Sequence, residues 1–89
     1  MKALRVTEQY QKDLRSIAGR GYRIKKLVAI VQRLQKGLPV PATDDDHPLK
    51  EPWEAYRGCN IQRDWVLIYQ TNEQQVVLVR TGTYADLFE

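Results

Sequence analysis

Alternation opens the chain and helical spacing follows it. Lys2 to Val6 alternates polar and apolar side chains, the pattern of a short strand, and Thr7 is placed to cap a helix that begins at Glu8. Tyr10, Leu14, Ile17 and Ala18 then recur at helical spacing as far as Gly19-Arg20-Gly21, whose glycines suit the positive φ of a helix end. A second, stronger helix is predicted from about Tyr22 to Lys36. There Ile24, Leu27, Val28, Val31 and Leu34 form one stripe, Ile30 widens it, and Gly37 stops it.

Leu38 to Pro52 is proline-rich, carries the run Asp44-Asp45-Asp46, has no periodicity and reads as an irregular connection. Three strand-like runs follow: Ala55 to Ile61, Trp65 to Gln70 and Gln75 to Thr81, joined by turns at Gln62-Arg63-Asp64 and around Asn72-Glu73. Trp65 to Tyr69 is apolar on both faces, which places it mid-sheet, covered by helices on one side and by side chains or a partner on the other. The predicted fold is α+β: an N-terminal strand, then two helices packed on one face of an antiparallel C-terminal meander. With 89 residues, there is room for one domain spanning 1–89.

Composition narrows the class. An apolar share of 43% with 28% charged residues suits a soluble globular protein rather than a disordered one. No apolar run approaches the roughly 20 residues of a membrane span, and Met1 to Arg5 precedes no hydrophobic signal core, so a cytoplasmic location is expected. The lone Cys59 reads as a small buried residue.

The net charge of +3 is unevenly spread: residues 1–36 hold ten Lys/Arg against two acids, and residues 37–89 hold four against nine. Lys25, Lys26, Arg33 and Lys36 share one side of the second predicted helix, opposite its apolar stripe. Such a face is either a solvated helix surface or a site for a polyanion, whether nucleic acid or an acidic protein segment.

The chain contains no phosphate-binding glycine loop, no Cys/His metal spacing and no G-x-S-x-G elbow. Asp44-Asp45-Asp46-His47 superficially resembles a metal cluster, but consecutive side chains point in different directions, and the run reads as a solvated charge run. Trp53 and Trp65 stand beside apolar strand positions and read as packing residues.

His47-Pro48-Leu49, Trp53, Tyr56-Arg57, Asp64 to Tyr69, Arg80-Thr81-Gly82-Thr83 and the closing Leu87-Phe88 together resemble the YafQ-like branch of the RelE toxin superfamily. The resemblance covers the whole chain in element order and residues 47–88 in motif. It implies a ribosome-dependent endoribonuclease of a type II toxin-antitoxin system, which cleaves messenger RNA by attack of a 2′-hydroxyl on the adjacent phosphate. No metal or cofactor is implied. The implied partners are the ribosome, its messenger RNA and a cognate antitoxin of ribbon-helix-helix type, with operator DNA met only through the antitoxin complex and no membrane.

In that branch the histidine of His-Pro-Leu, the aspartate before the central-strand Trp and the terminal phenylalanine belong to the active site; here these are His47, Asp64 and Phe88. The chain departs from the branch at three places: Gly58 stands where an aspartate is usual, and Asn60 and Tyr84 where histidines are usual. Tyr84 has a counterpart in RelE-type members, which place a catalytic tyrosine near the C-terminus among Lys and Arg. An ordinary phenol, with a pKa near 10, needs adjacent cations to serve as a base at neutral pH, and Arg57 and Arg80 are candidates.

Two assignments stay open: His47 as acid with Tyr84 as base, or His47 as the proton-transfer residue with Tyr84 orienting RNA. The remaining candidates for RNA contact are Lys50, Arg63, Asn60 and Phe88. Arg57, Arg63, Arg80 and Lys50 are the four cations after position 36, and each lies beside a motif residue. Phe88 is suited equally to stacking on a base and to packing the C-terminal turn. A family member that has lost activity and only binds antitoxin, RNA or ribosome is the alternative reading.

Overall fold

The computed structural model describes residues 1–41 and 44–88. Ala42 and Thr43, inside the stretch read as an irregular connection, and Glu89 lie outside the described residues. The described elements run β1 (Ala3–Val6), α1 (Glu8–Ala18), α2 (Ile24–Gln35), β2 (His47–Pro48), β3 (Arg57–Gln62), β4 (Trp65–Thr71), β5 (Gln75–Thr83) and α3 (Tyr84–Phe88). They form a five-stranded sheet in the order β1-β5-β4-β3-β2, with β1 parallel to β5 and every other pair antiparallel. No helix among the described residues is long and apolar enough to cross a membrane.

Local chemistry explains the helix ends. Thr7 accepts the Tyr10 N–H at 2.9 Å, capping α1, and donates its own hydroxyl proton to the Val79 carbonyl at 2.7 Å. One side chain therefore starts the helix and ties it to β5. At the far end of α2, Gly37 takes φ 73°, its N–H returns to the Leu34 carbonyl, and the Leu38 N–H returns to Arg33. This is the paired closure that a left-handed residue after the last turn permits.

The second helix begins two residues later than the hydrophobic pattern predicts. Tyr22 is drawn away to donate to Asp64 at 2.8 Å and to lie edge-on against Trp65, and the Arg23 N–H goes to the Gln62 side chain. Of the predicted stripe, Leu27, Ile30, Val31 and Leu34 are buried, while Val28 stays half exposed.

β4 is central, as its two-sided apolar pattern predicts. Trp65, Leu67 and Tyr69 join Tyr10, Ile17, Leu27, Ile30 and Leu34 in the main core beneath the helices. Val66 and Ile68 face the other way and are covered by Leu87, Leu49, Trp53, Tyr56 and Val79. Trp65 is fully buried, and its indole donates to the Thr81 hydroxyl, which passes its proton to the Val66 carbonyl. Cys59 is buried as expected, and that burial pushes its thiol up to about 12.

Two pairings go beyond the sequence reading. The first strand lies parallel beside the last, Ala3–Val6 in register with Gln75–Leu78, so it extends the meander across a long crossover. Within the connection read as irregular, His47 and Pro48 pair with Gly58 and Arg57 and form the opposite edge of the sheet. Proline is tolerated there because an edge strand needs no N–H on its outer side.

Replacing Thr7 with Val keeps the shape but leaves the Tyr10 N–H and the Val79 carbonyl without their partner. The variant is expected to lose about 1–2 kcal/mol of stability. A lowered urea midpoint at unchanged slope would show it.

Candidate functional site

Residues paired directly across a sheet project to the same face. His47 pairs with Gly58, Gly58 with Ile68, and Ile68 with Arg80, which makes one rung across four strands. The next rung runs Asn60, Val66, Gly82. Because Val66 and Ile68 face away from α1 and α2, His47, Gly58 and Asn60 lie on the face that those helices leave uncovered, whereas Arg80, beside a register shift at Ile68/Tyr69, reaches back to α1. His47 and Asn60 are therefore diagonal neighbours on adjacent strands, with backbones about 7–8 Å apart.

α3 is anchored to this face at its N-terminal end. The Tyr84 N–H bonds to the Asp64 carbonyl at 3.1 Å, the Thr83 N–H donates to the Asp86 carboxylate, and the Asp86 N–H donates to the Thr83 hydroxyl, which caps the short helix. Tyr84 then reaches over the sheet to donate its hydroxyl to Asn60 Oδ1 at 3.0 Å, and its ring lies 5.7 Å from that of Phe88. Both rings are about two-fifths exposed, so Phe88 offers a free surface instead of filling the core. A cleft of about 500 Å³ continues past Phe88 and Leu87 to Leu49 and Trp53, with Lys50 at its rim.

His47 is held by the loop before it. Asp45 adopts φ 50° and presents its carbonyl to His47 Nδ1 at 2.7 Å. A carbonyl only accepts, so Nδ1 carries the proton and Nε2 is the nitrogen left for chemistry.

The other expected site residues are distributed differently. Arg57 pairs with Tyr69 and shares its helix-side face, where it binds Asp46 through Nε and a terminal nitrogen at 3.3 and 3.1 Å. Arg80 makes a two-pronged bond with Asp13 of α1 at 2.8 and 3.0 Å. The two arginines expected beside Tyr84 are thus both engaged by carboxylates. The Asp64 carboxylate accepts the Tyr22 hydroxyl, and its carbonyl anchors Tyr84. Arg63, at φ 53°, and Lys50 are exposed.

Two carboxylates escaped the sequence reading. Asp46, in a run that reads as solvated, is half-buried and accepts from both Arg57 and Tyr69. Burial and this carboxylate together push the Tyr69 hydroxyl far above the phenol range. Asp13 sits in a helix pattern that gives no sign of its partner 67 residues away. Among the described residues no group of three His, Cys, Asp or Glu side chains is gathered for a metal ion.

Gly58 lies against Leu49. A Cβ there would come within 2.9 Å of the Leu49 side chain, so a larger residue requires Leu49 to move.

A family model described as the bacterial toxin of type II toxin-antitoxin systems, YafQ, matches residues 2–89. The chain belongs to the YafQ toxin family. It is 38% identical over 81 residues to the mRNA interferase toxin YafQ of Escherichia coli K12, an alignment covering 90% of this chain and 88% of that protein. The crystal structure of YafQ from E. coli BL21(DE3) superimposes with a TM-score of 0.92 at 33% identity, covering all of both chains. YafQ from the E. coli DinJ-YafQ toxin-antitoxin complex matches with a TM-score of 0.90 at 35% identity, over 99% of this chain and 98% of that one. The α+β reading and the RelE-type, YafQ-like resemblance both hold.

Asp13 makes acid sensitivity a test of the Arg80 linkage. Burial raises its pKa, but bonds from Arg80, Gln9 and the Thr81 N–H, with the Arg80 charge, outweigh burial and leave it below the ordinary 3.8. A depressed carboxylate adds stability that is complete above its unfolded pKa and disappears as pH falls through the folded one. In urea unfolding, the gap between wild type and Asp13→Asn should be wide at pH 7 and narrow steadily below about pH 4.

Proposed function

We propose that residues 1–89 form the toxin of a type II toxin-antitoxin pair, an endoribonuclease that enters the decoding site of the ribosome and cuts messenger RNA. The single observation that carries this reading is the placement of His47. On the chain of a YafQ-family toxin, its Nε2 is left free by the bond from Nδ1 to the Asp45 carbonyl, on an uncovered sheet face beside Tyr84, Asn60 and Phe88.

The reaction passes a proton from the 2′-hydroxyl to a base as its oxygen attacks phosphorus. The bond to the 5′-oxygen breaks, that oxygen takes up a proton, and a 2′,3′-cyclic phosphate and a 5′-hydroxyl result. Of the two assignments, the geometry favours His47 as the proton-transfer residue with Tyr84 as an orienting group. The Tyr84 hydroxyl is donated to Asn60, and Arg57 and Arg80 are held by Asp46 and Asp13. Phe88 stacks on a nucleobase. Arg63 and Lys50 contact phosphates, and Arg80, at the far end of the His47 rung, retains N–H donors not shared with Asp13. Asp64 contributes by anchoring Tyr84.

YafQ of E. coli is found in a complex with DinJ, and by the same logic this chain takes a cognate antitoxin, of ribbon-helix-helix type, which brings it to operator DNA. Its target places its work in the cytoplasm.

Mapping messenger 5′ ends on translating ribosomes with purified protein tests the reading. Wild type is expected to create new ends. His47→Ala should slow their formation by roughly 10²–10⁴-fold, and Tyr84→Phe, which deletes one hydrogen bond, by only about 3–10-fold. A folded wild-type protein that creates no new ends leaves the binding-only reading in place. A Tyr84→Phe loss as deep as that of His47→Ala would restore the tyrosine to the role of base.

A further inference from the structure

Side chains alternate across a strand, and residues 46 and 47 show what this does at the edge of the sheet. Asp46 points to the helix-covered side, where Arg57 of β3 and Tyr69 of β4 both donate to its carboxylate. His47, the next residue, projects to the open face opposite Gly58. The strand carrying His47 has little else to hold it. β2 is two residues long, and the second is Pro48, which has no N–H for a ladder bond. Beyond these, the Leu49 N–H reaches the Tyr56 carbonyl at 3.2 Å.

The donors to Asp46 are themselves fixed. Tyr69 is buried in the central strand, and Arg57 lies opposite it in register. The Asp46 carboxylate thus fastens the backbone of the edge strand to the centre of the sheet, immediately before the imidazole. The Asp45 carbonyl, one residue further back, sets the ring itself at 2.7 Å. A displaced Asp46 would move both the His47 backbone and the carbonyl that fixes its tautomer.

We propose that Asp46, clamped by Arg57 and Tyr69 across the sheet, is a positioning residue for His47: it acts from the opposite face to hold the imidazole in place with Nε2 free. The role in catalysis rests on the ribonuclease reading above, whereas the effect on the ring does not. Arg57, expected in the site, then serves it indirectly as one arm of the clamp.

Two readouts test this. His47 is the only histidine in the chain, so its ring nitrogens give a single set of signals in a long-range proton-nitrogen NMR spectrum. In wild type the neutral ring should be chiefly the Nδ1-protonated form. In Asp46→Ala the ring should shift towards a mixture containing the Nε2-protonated form. On ribosomes, Asp46→Ala should lower kcat roughly 10–100-fold, the scale of a small misplacement of a catalytic group, while affinity for the ribosome stays within about twofold of wild type. Asp46→Asn, which keeps one acceptor oxygen, should recover part of the rate and of the wild-type ring signals.

If Asp46→Ala fails to fold, Tyr69→Phe and Arg57→Ala each remove one arm of the clamp and are read in the same way, each with a smaller shift. The proposal is overturned if the folded variants keep wild-type ring signals, or if the loss lies only in ribosome affinity or folded fraction. Should wild type itself cut nothing, the ribonuclease reading falls, and the ring signals alone then decide whether Asp46 holds His47.

Discussion

The requirement that the central strand be covered on both faces governs the rest of the structure. β4 presents Trp65, Leu67 and Tyr69 to one side and Val66 and Ile68 to the other, and all five are buried. Among the described residues, two amphipathic helices cover the first side, while α3, the stretch through Leu49, Trp53 and Tyr56, and Val79 lie against the second. Small domains bury a smaller share of their surface than large ones. Here the shortfall falls on one face, and the part of it left open carries His47, Asn60, Tyr84 and Phe88. The site is an uncovered stretch of sheet with a short helix anchored to it.

Electrostatics follows the same division. In the acidic second part of the chain, Asp46 engages Arg57 and Asp86 engages Arg20, while Asp13 of α1 engages Arg80. The Asp13 carboxylate also takes the Thr81 N–H at 3.2 Å, beyond the point where β1 stops pairing with β5 at Leu78. It therefore satisfies a sheet edge and an arginine together. The cations left exposed on α2, Lys25 and Lys26, belong to the helical side and give it a positive field of the kind that draws polyanions. The open face, by contrast, relies on a few placed groups more than on bulk charge.

What was legible in the sequence was whatever repeats along it. The stripes of α1 and α2, the three long strands and the two-sided burial of β4 all carry periodic signals, and each appears within a few residues of its expected place. The parallel pairing of β1 with β5 leaves no such signal, since residues some 72 positions apart are joined only by the crossover between them. The two-residue β2 is too short for periodicity, and its proline argues against a strand until the edge position is known. Charge was the least legible. Asp46 stands in a run that looks solvated, and only the fold reveals that it turns inward while Asp45 stays out. The family motifs placed His47, Asp64 and Phe88 in one neighbourhood, but a motif gives no parity. Parity is what sends Arg57 to the opposite face from His47.

The three departures from the family pattern are understood in the same terms, because none is isolated. Asn60 and Tyr84 stand where two histidines are usual, and in the fold they touch each other through a 3.0 Å hydrogen bond. Gly58 stands where an aspartate is usual, and the space its Cβ would enter is already approached by Leu49 of the His-Pro-Leu motif. A hydroxyl bonded to an amide stands where the resemblance expects two imidazoles, and the glycine leaves room for the Leu49 side chain beside His47. Together they leave His47 as the one imidazole on the open face. The demand on that imidazole's placement rises accordingly, and it is held from its own face by the Asp45 carbonyl and through its backbone by Asp46 on the other.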